Sequence, residues 1–364
     1  MPSSPPSKTA KRLRNLLGLV GKAKPAVGCT PADVVHSENK WRLLRYHPRA
    51  QGLAHATPIL LVPSLINRHY VLDLQPGRSF AEFMVSRGHD VFIIDWGTPG
   101  DEDRFITFDE ICDHYIGRAV RRAARAAGTR SVHLLGYCLG GTLTAIHTAA
   151  NPEAIATLTT LAAPIDFDDG GLLSRWTRGD TFDVDALVDG FGNVPWRLLQ
   201  ASFEMLRPTL NLSKAVSVLD RAWDDEFLDG FRAIERWGGD NVSFPGECYR
   251  RYIRDLYRDN ALLDGRFMLS GRPAALDAIH CPLMSVTFEH DNIVPLASAE
   301  PLAQLVSSQD VTELHLRGGH VGAVVSRKAA KGLWPTLSNW WAARDEEQAL
   351  SEPPSRAAGR SSPQ

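Results

Sequence analysis

The chain has few cysteines, and none of them follows a pattern that binds metal or builds disulfides. The five are scattered along 364 residues without CxxC or Cys/His spacing. Neither a zinc site nor a disulfide framework is therefore expected, and a reducing cytoplasm fits this usage best. These cysteines are Cys29, Cys112, Cys138, Cys248 and Cys281.

Long apolar runs and excess charge are also absent. No stretch reaches the roughly 18 apolar residues that a membrane-spanning helix needs, so no transmembrane segment is expected. The apolar run at 16–20 is too short for a signal peptide and has basic residues on both sides. A formal net charge of −2 argues against a nucleic-acid partner. Residues 1–30 are basic and rich in Ser and Pro, which predicts a disordered segment with at most a short amphipathic helix at 11–17.

What the chain does contain is an alternation of short apolar runs with helical patterns. Such alternation with short connections is typical of an α/β fold with a doubly wound, mostly parallel sheet. A further short strand is expected at 41–46, and helices are expected at 80–87, 108–127 and 328–341. The predicted buried strands are 58–62, 90–95, 132–135, 155–161, 282–288 and 312–316.

Between residues 166 and 280 the strand pattern almost disappears. Helix signals occur instead at 183–189, 196–206 and 248–259. Because the strand pattern resumes at 282, we interpret 166–280 as a helical cap inserted into one core, formed by 31–165 and 281–342, rather than as a separate domain. The polar tail 343–364 is predicted to be disordered.

The most informative stretch places Cys138 on a sharp turn between a strand and a helix. Gly136 and Gly140 stand two residues before and after it, where side chains would clash in a strained strand-to-helix elbow. Such an elbow exposes the nucleophile at the carboxyl edge of the sheet. The alternative is that Cys138 is a small buried hydrophobe, the ordinary fate of a free cysteine.

Two downstream residues complete a nucleophile–acid–base order. Asp291 follows one late strand and His320 follows the next, which is the order that this fold imposes. His320 would accept the thiol proton and Asp291 would orient the imidazole. The neighbouring His290 is expected to point away and to be structural.

An oxyanion would need main-chain donors near Cys138. Leu139 N–H is one candidate, and the loop after the 58–62 strand offers the N–H of Leu65 or Ile66, with Asn67 nearby. The alternative is that this loop is an ordinary connection between a strand and a helix.

The sequence resembles the polyhydroxyalkanoate synthases of the α/β-hydrolase superfamily, especially the class III catalytic subunit. The box Gly-x-Cys-x-Gly-Gly reads Gly136-Tyr137-Cys138-Leu139-Gly140-Gly141 here. Other segments follow in family order over about 40–342. They are LINRHYVLDLQ (65–75), DVFIIDWG (90–97), LAAPIDF (161–167), GNVPWRLLQASFEMLRP (192–208), GECYRRYIRDLYRDNALLDG (246–265), HDNIVP (290–295) and GGHVG (318–322).

This resemblance implies an acyltransferase that polymerises (R)-3-hydroxyacyl-CoA, 3-hydroxybutyryl-CoA in particular, through a thioester on Cys138. Coenzyme A is then part of the substrate and no separate cofactor is implied. The implied partners are the growing polyester chain, a non-catalytic synthase subunit, a second copy in a homodimer and the surface of a polymer granule in the cytoplasm.

Two departures from the family pattern stand beside the nucleophile and the acid. Asn292 replaces the usual histidine after Asp291, and Leu139 replaces a frequent glutamine. The competing hypotheses are an acyl thioesterase or polyester hydrolase that uses the same triad with water, and a non-catalytic scaffold or granule-coat protein that keeps the fold.

Overall fold

The computed structural model describes residues 7–18, 23–179, 181–206 and 208–351. Its centre is an eight-stranded sheet with the strand order β1-β2-β4-β3-β5-β6-β7-β8. The strands are β1 Ala32–Glu38, β2 Trp41–Tyr46, β3 Ile59–Val62, β4 Val91–Asp95, β5 Val132–Tyr137, β6 Ile155–Leu161, β7 Leu283–Phe288 and β8 Val311–Leu316.

The sheet is parallel except at one edge, where β1 and β2 run antiparallel. β5 occupies the middle, so that Leu134 pairs with Leu60 of β3 on one side and with Leu158 of β6 on the other. Every residue of the five strands β3 to β7 is buried. The predicted doubly wound, mostly parallel sheet is therefore confirmed, because helices must cover both faces of such strands.

Successive side chains of a strand point to opposite faces, and the core divides accordingly into two hydrophobic clusters. Leu60 and Leu134 lie in one cluster with helices α3 and α4, and Leu61 and Leu135 lie in the other with α2 and α15. The helices of the core are α2 Phe80–Ser86, α3 Ile116–Ala127, α4 Leu139–Ala150, α11 Leu296–Ala299, α12 Pro301–Leu305, α13 Gly322–Val325, α14 Arg327–Lys331 and α15 Leu333–Ser351.

The segment 166–280, called the cap here, is helical apart from a two-stranded ribbon at Met268–Leu269 and Arg272–Pro273. Two stretches predicted as plain helix contain π-helical turns, at Glu110–Tyr115 before α3 and at Tyr252–Arg258 after α10. The cap helices are α5 Leu172–Arg178, α6 Val184–Phe191, α7 Trp196–Met205, α8 Leu210–Arg221, α9 Asp225–Gly238 and α10 Gly246–Arg251.

Two predictions of disorder at the ends were wrong in part. Lys8–Gly18 is helix α1, and it packs on the cap through buried Asn15, whose amide donates to Ala222 O (2.9 Å). At the other end, α15 continues to Ser351, and Arg344 within it donates from Nε and Nη2 to the two oxygens of the Asp310 carboxylate. Residues 1–6, 19–22 and 352–364 lie outside the described residues.

The edge strand β1 has no counterpart in the sequence prediction. It forms a hairpin with β2 through Asn39, which adopts a positive φ of 50°. Most of its side chains are exposed or half-buried, so it lacks the apolar run that marks a buried strand. Among the described helices, none combines the length and the apolar character needed to cross a bilayer.

Candidate active site

Cys138 lies at the junction of β5 and α4 in a strained backbone conformation. Its φ of 56° and ψ of −130° fall outside the regions that L-residues favour. The residue is half-buried, and its N–H donates to Leu161 O of the neighbouring strand (3.0 Å). This is the conformation of a nucleophile elbow, which presents the side chain above the carboxyl edge of the sheet.

Three glycines make this turn sterically possible. A Cβ on Gly136 would lie 2.4 Å from Gly141 Cα, and one on Gly140 would lie 2.1 Å from Val62 O. The sequence predicts Gly136 and Gly140 for this reason. Gly141 meets the same limit, because its Cβ would lie 2.3 Å from Ala163 Cβ.

Asp291 and His320 meet beside the elbow, each from the loop after its strand. His320 Nδ1 and Asp291 Oδ2 are 2.7 Å apart, and the Asp291 side chain is fully buried. The other carboxylate oxygen accepts the N–H groups of Ile293 and Val294, both at 2.9 Å. The carboxylate is thus fixed on one side by the backbone and orients the imidazole with the other.

His320 is buried between two groups that carry or can carry negative charge. Burial lowers the pKa of its imidazole, but Cys138 and Asp291 raise it more, to about 10, and both hydrogen-bond to the ring. The imidazolium that forms when His320 accepts the Cys138 proton is therefore stabilised by both neighbours. Tyr137 packs against the ring with centroids 5.1 Å apart and donates to His320 O (3.3 Å), which further limits movement of the loop.

Of the predicted oxyanion residues, Leu139 lies at the elbow, whereas Ile66 and Asn67 contact the cap. Leu139 is the first residue of α4, where N–H groups have no helical acceptor. Ile66 N lies 3.4 Å from Ser64 Oγ, a long contact, while Ile66 O accepts Val242 N–H of the cap. Asn67 turns its amide to the cap, where Nδ2 donates to Asn241 Oδ1 (2.5 Å).

The remaining residues near the acid have ordinary structural roles. His290 is exposed and lies 4.0 Å from Glu289, as expected for a residue pointing away from the site. Asn292, at the position where a histidine is common in the resembled family, donates to His290 O (3.2 Å). Among the described residues, no group of three His, Cys, Asp or Glu side chains is arranged to hold a metal ion.

The structure adds two cap residues that sequence reasoning missed. Tyr252 and Tyr257 lie in the π-helical turn, and both are close enough to Cys138 for charge on the thiol to raise the pKa of their hydroxyls, although burial is the larger cause. Their only signal in the sequence is membership of the 246–265 segment. A nucleophile, a base and an orienting acid in one place can perform acyl transfer through a covalent intermediate.

Comparison with protein families gives two matches. Residues 57–321 match the model of the α/β hydrolase fold. Residues 19–84 match the model of the amino-terminal part of poly-beta-hydroxybutyrate polymerase (PhaC). The first match spans strands β3 to β8, the elbow and the cap, and ends just after His320.

Curated relatives are similar over most of the chain. The poly(3-hydroxyalkanoate) polymerase subunit PhaC of Allochromatium vinosum is 37% identical over 86% of this chain and 88% of its own length. That of Haloferax mediterranei is 36% identical over 88% of this chain, which spans only 65% of the longer relative. Among solved structures, BpoC from Mycobacterium tuberculosis has a TM-score of 0.51 at 12% identity, covering 85% of this chain and 98% of that one, which is a likeness of fold alone.

Proposed function

Because the chain belongs to the poly(3-hydroxyalkanoate) polymerase PhaC family of the α/β-hydrolase superfamily, and is thus an enzyme of the acyltransferase type, we propose that it polymerises (R)-3-hydroxyacyl-CoA, in particular 3-hydroxybutyryl-CoA, with release of CoA. The observation that carries this proposal is the strained Cys138 elbow beside the hydrogen-bonded His320–Asp291 pair.

In the first step the Cys138 thiol proton passes to His320, and the sulfur attacks the thioester carbonyl. The oxyanion that forms would accept the N–H groups of Leu139 and Ile66. The bond to the CoA sulfur then breaks, and His320 returns the proton to the leaving CoA thiolate. One thioester replaces another of similar energy, so this exchange is nearly balanced.

In the second step His320 takes the proton of the 3-hydroxyl group of another acyl unit. The hydroxyl oxygen attacks the acyl-Cys138 carbonyl, a C–O bond forms and the C–S bond breaks, which regenerates the thiol. The product is an ester longer by one unit, and ester formation from a thioester makes the cycle favourable. Asp291 stabilises the imidazolium in both steps.

A cysteine substitution tests this proposal. Cys138→Ala is expected to reduce the rate of CoA release from 3-hydroxybutyryl-CoA at least about 1000-fold, because the nucleophile is lost. CoA release is measured with a thiol reagent, and Cys281→Ala, which alters another partly buried free cysteine, serves as the matched control. Normal release by Cys138→Ala would refute the covalent mechanism.

The reaction product shows whether a hydroxyl group or water accepts the acyl group from Cys138. Polymer as the main product supports polymerisation, whereas free 3-hydroxybutyrate would show that water is the acceptor and that the enzyme is a thioesterase or polyester hydrolase. We further propose that the enzyme acts at the surface of cytoplasmic polymer granules, with a non-catalytic subunit or as a homodimer. Copurification with granules and a second polypeptide tests this placement.

A further inference from the structure

The π-helical turn Tyr252–Arg258 brings two tyrosines together that an α-helix would separate. In an α-helix, the side chains of residues five apart point about 140° away from each other. In a π turn, backbone hydrogen bonds join residues five apart, and the wider turn brings their side chains closer to one face. The rings of Tyr252 and Tyr257 are 5.4 Å apart at 88°. Single π turns occur frequently at functional sites, so this pair is a candidate for a role in the reaction.

The tyrosine pair is fixed to the loop after β6, which adjoins the elbow. Phe167 packs edge-on against both rings, 6.0 Å from Tyr252 and 4.9 Å from Tyr257. Its N–H donates to the Asn260 side chain (3.0 Å), just after the π turn. The loop that ends at Phe167 begins directly after Leu161, whose carbonyl accepts the Cys138 N–H.

Both hydroxyls remain protonated, because burial raises the pKa of each. Tyr252 is 8% exposed, and burial together with the neighbouring Tyr257 and Cys138 raises the pKa of its hydroxyl well above its ordinary value. The two hydroxyls hydrogen-bond to each other. Because a phenolic hydroxyl both donates and accepts, the pair can still bind a further polar group.

Tyr257 also forms the wall of a cleft beside the acid. The cleft is open to solvent and includes Phe167 together with Asn292 and Ile293, the two residues after Asp291. Tyr257 therefore borders the segment that holds Asp291, because the N–H of Ile293 in this lining donates to the Asp291 carboxylate.

We propose that the hydroxyl pair of Tyr252 and Tyr257 binds the 3-hydroxyl group of the acyl unit delivered to Cys138, and thereby selects 3-hydroxyacyl thioesters over acyl thioesters that lack this group. This inference rests on the proposed function and deepens it. A substrate without the hydroxyl would not pair with the partly buried Tyr257 hydroxyl, which is how sites that bind a hydroxyl reject its analogue.

Substrate preference in the first turnover tests the pair. Acylation by 3-hydroxybutyryl-CoA and by butyryl-CoA is measured by rapid-quench release of CoA. Tyr257→Phe is expected to reduce the preference for the hydroxylated substrate about tenfold, by slowing that substrate and leaving butyryl-CoA unchanged. Tyr252→Phe removes only the internal hydrogen bond and is expected to have a smaller effect in the same direction.

Tyr249→Phe is the matched control, because Tyr249 is a buried cap tyrosine whose hydroxyl pKa is raised by burial alone. It is expected to keep the wild-type preference. An equal slowing of both substrates by Tyr257→Phe, or an unchanged preference, would overturn the inference. Should Tyr257→Phe not fold, an unchanged preference in Tyr252→Phe would overturn it equally. Failure of the proposed function is distinct, since it would appear as CoA release by Cys138→Ala.

Discussion

Buried histidines in this protein carry opposite proton affinities because their partners differ. His320 lies between Cys138 and Asp291, and its pKa rises to about 10 against the effect of burial. His147 is equally buried but its ring bonds to Cys112 O (2.8 Å), a neutral group, and burial lowers its pKa to about 4. A charged partner, rather than depth, therefore decides which histidine is cationic.

The buried His89 is expected to make the protein less stable at low pH. It is fully buried, bonds to Ser338 Oγ (2.8 Å) and stacks on His55, and burial followed by the charge of His55 lowers its pKa to about 3. The unfolded chain takes up this proton near pH 6.5, so the stability present above that pH falls as the pH falls towards 3.

From pH 7 to pH 5 this single group is expected to remove about 2 kcal/mol of unfolding free energy. Urea unfolding at the two pH values measures it, with His89→Gln as the comparison, since glutamine does not titrate. We expect the variant to lose about 2 kcal/mol less than the wild type between these pH values. An identical loss in both proteins would contradict the assignment to His89.

At the scale of elements, the elbow depends on how closely α4 approaches the loop after β3. Gly140 lies against the carbonyls of Val62 and Pro63, which are backbone atoms and cannot rotate away.

The π turns are also features of single elements. The sequence pattern predicts a helix at 248–259, in agreement with the structure. Only the wider π turn, however, places Tyr252 and Tyr257 on one face.

Gly140→Ala is expected to destabilise the fold by about 3 kcal/mol, since the new methyl group would overlap the Val62 carbonyl. Gly190→Ala in α6 is the matched control, because nothing lies within 4 Å of its new Cβ. Helix propensity predicts that this control is more stable by up to about 1 kcal/mol. Thermal unfolding compares the two, and equal melting temperatures would contradict the proposed steric limit.

At the scale of the whole molecule, both ends of the described chain are tied to distant parts of it. Helix α1 is held to the cap by the Lys11–Asp225 ion pair (2.8 Å) and by Asn15. Helix α15 is held to the start of β8 by Arg344, which also stacks on Trp340. Such contacts order segments whose composition by itself is typical of disorder.

The Arg344–Asp310 pair is expected to contribute to global stability because it is bidentate and largely buried on the arginine side. Arg344→Met keeps the stem and is expected to cost about 1.5 kcal/mol. Arg317→Met removes an exposed pair with Glu289 and should cost less than about 0.5 kcal/mol. Chemical unfolding measures both, and equal costs would mean that α15 gains nothing from this contact.

Much of the fold follows from short-range signals in the sequence. Observed strands such as Ile155–Leu161 agree with the prediction because parallel central strands must be apolar on both faces. The sequence pattern does not predict strand β1, because an edge strand needs no continuous apolar run. The order Cys138, Asp291, His320 is also readable, since this fold requires it, and the structure places the three together.

The sequence by itself determined the elbow, the sheet and the order of the three candidate catalytic residues, because steric limits and burial act on residues that are close in the chain. The tertiary structure alone decided that Asn67 faces Asn241, that Tyr252 and Tyr257 pair near the thiol, and that α1 and α15 are ordered. These features depend on contacts between residues far apart in sequence, and such contacts leave no periodic pattern in the chain.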